Sequence, residues 1–202
     1  MEPPLREKYV DITRQSLLDT ALQLFTGRDY GDVSAEELVR AAGLTRGALY
    51  HHFDGKRGLF EAVFNELEEQ AAVRIRSAVD SAADPLERID RGVAEFFEVC
   101  ADDAYRRIVM VQGPVALGWE RWRELDQQHL GAIVLDQADA LLSHHGADEN
   151  QVRLVSAALF GALSELCFTV AEDSDPAGAR ARAGALVHDL VHGYVSALAS
   201  RS

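Results

Sequence analysis

The chain has almost no cysteine and almost no lysine. Cys100 and Cys167 are the only cysteines among 202 residues, and Lys8 and Lys56 are the only lysines beside eighteen arginines. Two cysteines this far apart do not form a disulfide framework, so a reducing, cytoplasmic compartment is the expected setting. No apolar run approaches the roughly 18 to 20 residues of a membrane span, and residues 1–10 lack the apolar core of a secretory signal.

The common patterns of catalytic chemistry are also missing. The sequence has no glycine-rich phosphate loop, no cluster of metal ligands and no nucleophile beside a plausible base. His188 and His192 stand at i and i+4, a spacing that suits zinc, but no convincing third ligand follows them. His144 and His145 are expected simply to end a helix. The sequence therefore predicts no cofactor, no bound metal and no enzymatic activity.

The charge is unevenly distributed along the chain. The formal net charge is -13. Residues 1–60 carry eight basic and nine acidic side chains, a net of -1, whereas residues 61–202 carry twelve and twenty-four, a net of -12. Charge asymmetry of this kind is informative about binding partners. The acidity belongs almost entirely to the second part of the chain, and the first sixty residues are close to neutral.

Apolar residues recur at intervals of three and four, and no alternating run indicates a strand. The expected protein is all-α, with about nine helices. The predicted helices begin near residues 11, 34, 45, 56, 85, 104, 119, 149 and 179, and the sixth is expected to stop at Gly113-Pro114. We expect a mobile arm over residues 1–10, one domain over residues 11–55 and a larger helical domain over residues 56–202.

Residues 33–60 hold the most specific pattern. Ser34 is a good N-cap, and Glu37 follows at the spacing of a capping box. Gly43 can adopt a left-handed conformation and permits a tight turn, after which Thr45 caps a further short helix. Two short, closely turned helices, with polar side chains at the start of the second, are typical of a helix-turn-helix DNA-binding motif.

The second of these helices carries side chains suited to DNA. Arg46 is a planar, multi-donor group that matches guanine O6 and N7, and Gly47 removes bulk where the helix must approach the bases. Tyr50 can contact a thymine methyl group or a phosphate, and His51 can donate to phosphate. Lys56 begins the next helix, where a cation opposes the helix dipole and favours a nearby anion.

The order and spacing of these residues resemble the N-terminal domain of TetR-family (AcrR-like) transcriptional regulators. The resemblance covers about residues 13–64. It rests on Leu24-Phe25, Tyr30, Ser34, Leu38, Ala42-Gly43, Leu49-Tyr50, His52-Phe53, Lys56 and Leu59-Phe60. It implies a three-helix DNA-binding domain, joined by the fourth helix to a helical domain for ligand binding and dimerisation. The implied groove-facing residues are Arg46, Gly47 and Tyr50, and the implied backbone contacts are Ser34, Thr45, His51, His52 and Lys56.

Three residues depart from the family pattern. Asp29 stands where a glycine is usual, and His51 stands where a second aromatic residue often follows Tyr50. Glu36 occupies a position at which some relatives carry a basic, base-reading side chain. We therefore expect base readout to depend mainly on Arg46, and affinity to depend on a few placed groups instead of a basic surface.

The resemblance also implies an inducer site between the fourth and eighth helices. The candidate wall residues are Phe96, Phe97, Cys100, Met110, Trp119, Trp122, Leu125, Glu165 and Phe168. For each apolar member, ordinary core packing is the commoner explanation. Glu165 has two interpretations of equal standing: it can orient a cationic or hydroxylated ligand, or it can bond to a neighbouring helix.

The resemblance implies that the last two helices pair across a two-fold axis to form a homodimer. It also implies that this homodimer binds a palindromic operator. Their small and apolar faces include Ala157, Phe160, Gly161, Ser164, Leu186, Leu190, Gly193 and Leu198. The resulting prediction is a homodimeric regulator, expected to be a repressor, that a small-molecule inducer releases from double-stranded DNA. Two alternatives stay open: an all-α small-molecule-binding protein or enzyme, and a DNA-binding dimer without a ligand.

Overall fold

Helices make up most of the described chain. The computed structural model describes the backbone of residues 5–143 and 146–200, and the side chains of these from residue 11 onward. The helices are α1 (Leu5–Gly27), α2 (Ala35–Ala41), α3 (Arg46–Phe53), α4 (Gly55–Asp80), α5 (Pro85–Cys100), α6 (Tyr105–Gln112 continued by Gly113–Leu117), α7 (Trp119–Asp126, Gln127–Gly131 and Ala132–Leu142 in succession), α8 (Glu149–Glu172) and α9 (Pro176–Ala199). These residues contain no strand, and the predicted all-α fold is confirmed.

Several of these helices begin at the predicted caps. The Ser34 and Thr45 hydroxyls each accept a hydrogen bond from the backbone N–H three residues on, at 3.1 and 3.3 Å. The Asp84 carboxylate accepts bonds from two N–H groups in the first turn of α5, both at 3.0 Å. Gly43, with φ of +68°, follows the end of α2 as predicted. Local chemistry therefore sets these boundaries.

Two helices depart from their predicted bounds. α1 begins at Leu5, because no proline or other helix breaker follows residue 4; residues 1–4 of the predicted arm lie outside the described residues. α6 continues past Gly113-Pro114 to Leu117. Pro114 lies in the first turn of the segment Gly113–Leu117, which follows the π-helical stretch Tyr105–Gln112. In a first turn the backbone N–H that proline lacks contributes little to helix stability. The predicted helix end at residues 144–145 is also outside the described chain.

α8 corrects the expectation that no segment approaches the length of a membrane span. By length and composition alone it can cross a membrane, since an 18-residue window has a mean hydropathy of 1.8. Core helices of soluble proteins meet the same criterion, and α8 packs against α7 and α9. Only 28% of the window is buried, so part of this apolar helix is not covered by its own chain.

The described chain forms two compact units that do not follow the order of the sequence. The first unit combines residues 1–68 with 103–125, and the second combines residues 69–102 with 126–202. This packing differs from the predicted division at residues 55/56, because α6 and the start of α7 dock on α1 and α4. The buried Gln112 amide, for example, donates to the carbonyl of Phe25 at 2.8 Å.

An aromatic cluster lies at the centre of the first unit. Phe25 and Phe60 are fully buried, with ring centroids 5.1 Å apart in an edge-to-face arrangement. Tyr30 packs on the edge of Phe60 at the same separation. Edge-to-face pairs of this kind contribute more stabilising free energy than the burial of their apolar area alone. They join the end of α1 to α4 and so support the helix-turn-helix motif between them.

α3 and α4 approach each other closely at Gly58. A Cβ atom added at Gly58 would overlap the carbonyl oxygen of Phe53, the last residue of α3. Because the obstacle is backbone, no side-chain rotation can relieve it. Asp54 and Gly55 connect the two helices with successive left-handed residues, at φ of 55° and 83°. The sequence pattern identified the Asp54-Gly55 break but gave no indication that position 58 requires glycine.

We therefore predict that Gly58→Ala destabilises the first unit by about 3 kcal/mol or more, because α3 must move away from α4. Chemical denaturation followed by circular dichroism measures the change. Gly27→Ala is the matched control, since a Cβ atom at Gly27 would meet nothing within 4 Å. Equal stability of the two variants would show that the close approach imposes no constraint.

Candidate DNA-binding surface and ligand cavity

One face of α3 and its cap is solvent-exposed and carries most of the predicted DNA contacts. The exposed residues are Thr45, Arg46, Gly47, Tyr50 and His51. Leu49 and Phe53 on the opposite face are buried, which fixes the orientation of the helix. Ser34, at the start of α2, is exposed as well. The structure therefore brings six of the eight predicted residues to the surface of the helix-turn-helix motif.

Arg46 is held by two neighbours. Its Nη1 lies 2.8 Å from Glu36 Oε1, and its guanidinium carbon lies 5.6 Å from the centroid of the Tyr50 ring. The Tyr50 hydroxyl and, secondarily, the Glu36 carboxylate raise the pKa of Arg46, so its positive charge is retained. Glu36 therefore competes with any acceptor on DNA for the same guanidinium group.

The Tyr50 ring rests on the turn between α3 and α4. A Cβ atom added at Gly55 would lie 3.2 Å from Tyr50 Cε1. Glycine is therefore favoured at position 55 both by its left-handed conformation and by this contact. The turn supports one face of the aromatic ring, while 51% of the residue stays exposed. Tyr50 is thus presented in a defined position beside Arg46.

Lys56 serves the fold in a way that the sequence did not indicate. Its Nζ donates to the carbonyl oxygens of Tyr30 and Val33, both at 2.9 Å, and lies 3.9 Å from the centroid of the Tyr30 ring. Burial lowers the pKa of Lys56. These contacts fasten the turn before α2 to the start of α4. A phosphate contact by Lys56 stays a prediction, and only one of its three ammonium donors remains for it.

The two histidines of α3 differ in environment. His51 is exposed and His52 is half-buried, with their ring centroids 5.0 Å apart. Burial lowers the pKa of His52, and the neighbouring His51 and Arg14 lower it further. His52 is therefore neutral at pH 7, and a contact with phosphate would use a neutral N–H donor.

Arg28 is a positioning residue that the sequence pattern did not reveal. It forms an ion pair with Glu37 in α2 and donates to the carbonyl of Asp32. Arg28 is the principal cause that lowers the pKa of Glu37. The sequence predicts Glu37 only as a capping-box residue, and the structure adds its ion pair with Arg28 at the end of α1. The only sequence signal was an arginine just after a helix end.

The second unit contains a cavity of about 60 Å³. Residues of α4, α5, α7, α8 and α9 line it, among them Ile75, Val93, Ile133, Phe160, Leu163 and Val191. Gln137 is the one polar side chain in this lining. Phe96 is the only predicted wall residue that lines the cavity. The composition of the wall suits an apolar, uncharged ligand.

The other predicted wall residues lie elsewhere. Met110, Trp119, Trp122 and Leu125 belong to the first unit. The buried Trp122 indole donates to the carbonyl of Val109 at 2.9 Å, whereas Trp119 is 59% exposed. Helical spacing placed these side chains on one face of α7 but could not show that the face packs on the first unit.

In the second unit, four further candidates, namely Phe97, Cys100, Glu165 and Phe168, also lie outside the cavity lining. Phe97 lines a surface groove instead. Glu165 is exposed on α8, and Phe168 is half-buried. The Sγ atom of Cys100 lies 2.8 Å from that of Cys167. The fold thus brings together two buried cysteines that are far apart in sequence.

Comparison with known proteins identifies the family. Residues 17–63 match the family model described as bacterial regulatory proteins, tetR family. Residues 86–194, more than half of the chain, match the tetracyclin repressor-like C-terminal domain. The chain belongs to the TetR family of transcriptional regulators. The C-terminal TetR match includes residues 103–125, which pack with the helix-turn-helix motif in the first unit.

Individual TetR-family relatives agree with this assignment. The chain is 34% identical over 100 residues to the HTH-type transcriptional regulator AcrR of Shigella flexneri; the match covers 48% of this chain and about half, 46%, of that protein. A TetR-family regulator from Pectobacterium atrosepticum is 29% identical, with a TM-score of 0.76 over 95% of this chain and 97% of that one. FadR of Bacillus subtilis, solved with stearoyl-CoA, is 17% identical, with a TM-score of 0.69 over 86% and 96% of the respective chains, and shows the shared fold alone.

We predict that Glu36→Gln increases operator affinity about two- to fivefold, because an exposed ion pair that Arg46 must break contributes about 0.2 to 1 kcal/mol. Glu120→Gln, an exposed carboxylate on α7, controls for the change in net charge. Equilibrium binding to an operator fragment measures both variants.

The same substitution in an Arg46→Ala background separates the ion pair from general charge repulsion. If Glu36 acts by holding Arg46, the gain disappears in that background. An equal gain with and without Arg46 would show that Glu36 acts on DNA directly.

Proposed function

We propose that this TetR-family protein is a homodimeric repressor that binds a palindromic operator in the cytoplasm and is released by a small-molecule inducer. The observation that carries the DNA-binding part is the exposed face of α3. Arg46 and Tyr50 project from it, and Gly47 leaves room for close approach. Helix-turn-helix proteins read the major groove with side chains at the N-terminal end of the recognition helix, and α3 carries such side chains at that end.

The uncovered apolar faces of α8 and α9 support the homodimer. Leu154, Leu186 and Leu190 are 59%, 48% and 53% exposed, and added Cβ atoms at Gly161 and Gly193 would meet nothing within 4 Å. A contiguous exposed apolar surface marks an interaction site. Of the predicted interface residues, Phe160 is buried and lines the cavity instead. A two-fold axis at this face would pair the two α3 helices for a palindrome.

The cavity of the second unit supports the inducer site. Its volume of about 60 Å³ is smaller than the roughly 150 Å³ that accommodates benzene. An apolar inducer must therefore displace the cavity walls in order to enter. A ligand that favours the expanded state shifts the protein toward it, which provides the energy for release from DNA. A DNA-binding dimer without a ligand is the second candidate, because the cavity is small.

Two continuous helices can carry this displacement. α4 and α7 each begin in the first unit and end in the second. Within the first unit, Arg57 donates to the carbonyl of Leu117 at 2.8 Å, and Arg121 pairs with Glu61 at 2.6 Å. These contacts tie α6 and α7 to the start of α4, the element that supports α3. We infer that wall displacement reaches the DNA-binding surface by this route.

We predict that Arg46→Ala weakens specific operator binding by about 1 to 3 kcal/mol. A mobility-shift assay on the DNA adjacent to the gene tests this. Arg123→Ala makes the same change in charge at an exposed site on α7 and should leave binding unchanged. Equal effects of the two variants would mean that Arg46 acts only through net charge.

We predict that Leu190→Asp converts the dimer to a monomer, because a carboxylate cannot be buried unpaired in an apolar interface. Light scattering after gel filtration measures the mass. Leu135→Asp, at an exposed leucine on α7, should remain dimeric. A dimer that persists in Leu190→Asp would place the interface elsewhere.

We predict that Ala138→Leu, which adds three carbons to the cavity wall, abolishes saturable binding of the apolar dye N-phenyl-1-naphthylamine and leaves operator binding intact. Ala140→Leu, at an exposed position of the same helix, should bind the dye like the parent protein. Dye binding that survives in Ala138→Leu would exclude this cavity as the ligand site. A parent protein that binds neither dye nor inducer would favour the ligand-free dimer.

A further inference from the structure

We propose a binding site for a zinc-like divalent metal ion formed by Asp90, His188 and His192 in the second unit. The two histidines lie one helical turn apart on α9, and Asp90 reaches them from α5. The sequence supplied no third ligand near the histidine pair, because Asp90 lies 98 residues before His188. The fold supplies that ligand, so the expectation that no metal binds is replaced by a specific site.

The three side chains have the separations of a metal-ligand set. Their donor atoms all lie within 4.8 Å of one another. Asp90 Oδ2 is 3.0 Å from His188 Nδ1 and 3.6 Å from His192 Nε2. In a tetrahedral zinc site with ligand bonds of roughly 2.0 to 2.2 Å, adjacent donors are about 3.3 to 3.5 Å apart. These two separations lie on either side of that value.

Hydrogen bonding alone leaves this cluster incomplete. Nδ1 of His188 lies 3.0 Å from both carboxylate oxygens of Asp90. Nε2 of His192 is buried and has no hydrogen-bond partner within the described residues. The two imidazole rings are stacked with centroids 3.8 Å apart. A divalent cation would satisfy the buried His192 nitrogen and balance the charge of the Asp90 carboxylate.

The ligand types favour zinc over calcium or magnesium. Imidazole nitrogen suits zinc and related transition metals, whereas calcium and magnesium prefer oxygen ligands. Three protein ligands leave the fourth position of a tetrahedron open. Asp90 and His188 also line a surface groove between α5 and α9. The open position can therefore be taken by water or by a donor atom of a molecule in that groove.

The site joins two helices that also form the apolar cavity. Ile89, Val187 and Val191, each adjacent in sequence to one of the three ligands, line the cavity. An ion bound on the groove side would fasten α5 to α9 and resist expansion of the cavity. Metal binding is thus expected to stabilise the second unit by mass action, independently of whether the protein binds DNA.

The test is a calorimetric titration of the untagged, full-length protein with Zn²⁺ after removal of metal by a chelator. We expect saturable binding of one ion per chain at this site and a rise in melting temperature. Asp90→Asn and His192→Gln should each weaken binding at least about tenfold, since even indirect ligand partners typically contribute 10- to 100-fold. Asp189→Asn is the matched control: it removes the same charge from an exposed position next to His188 and should bind like the parent.

Co²⁺ gives an independent readout, because its visible absorption reports tetrahedral coordination. The parent and Asp189→Asn should show this absorption, and Asp90→Asn should lose it while circular dichroism confirms an unchanged helical fold. Absence of saturable Zn²⁺ binding by the parent would overturn the proposal. Equal Zn²⁺ affinity of Asp90→Asn and Asp189→Asn would also overturn it and leave an ordinary histidine–aspartate contact.

Discussion

The start of α4 is the constraint on which the DNA-binding surface depends. The ammonium group of Lys56 binds the two carbonyl oxygens of the turn before α2, and Gly58 admits the last carbonyl of α3. Both α2 and α3 are short, and isolated helices of their length are not stable in water. Their orientation is therefore imposed by α1 and α4. A displacement of the start of α4 must therefore move the face that carries Arg46 and Tyr50.

This arrangement explains how an acidic TetR-family protein can bind a polyanion. The net charge of -13 belongs almost entirely to the residues after 60, and the first sixty residues are nearly neutral. Arg46 is partly neutralised by Glu36, and Lys56 is largely committed to the fold. Little non-specific attraction remains, so we infer that affinity comes from a few placed side chains, helix ends and, in the proposed dimer, the pairing of two half-sites.

The local features of the fold were predictable from sequence, and the long-range ones were not. Ser34, Thr45 and Asp84 act on N–H groups two or three residues away, so their cap roles follow from spacing. Gln112 bonds to a carbonyl 87 residues earlier, and no pattern within α6 indicates it. Apolar periodicity identifies buried faces but not which unit buries them. It suggests a ligand wall for Trp122, whereas Trp122 belongs to the first unit. The exposed α3 face could be predicted because the TetR motif constrains it. The resemblance also implies a pocket in the helical domain, but of its candidate wall residues only Phe96 lines the cavity.

The salt dependence of operator binding tests the central claim most directly. The logarithm of the binding constant falls linearly with the logarithm of salt concentration, with a slope of about -0.9 per neutralised phosphate. With about two phosphate-contacting cations in each half-site, the slope for the proposed dimer should be about -4, and non-specific binding should be weak. A slope near -10, typical of a protein that binds through an extensive basic surface, would contradict this account.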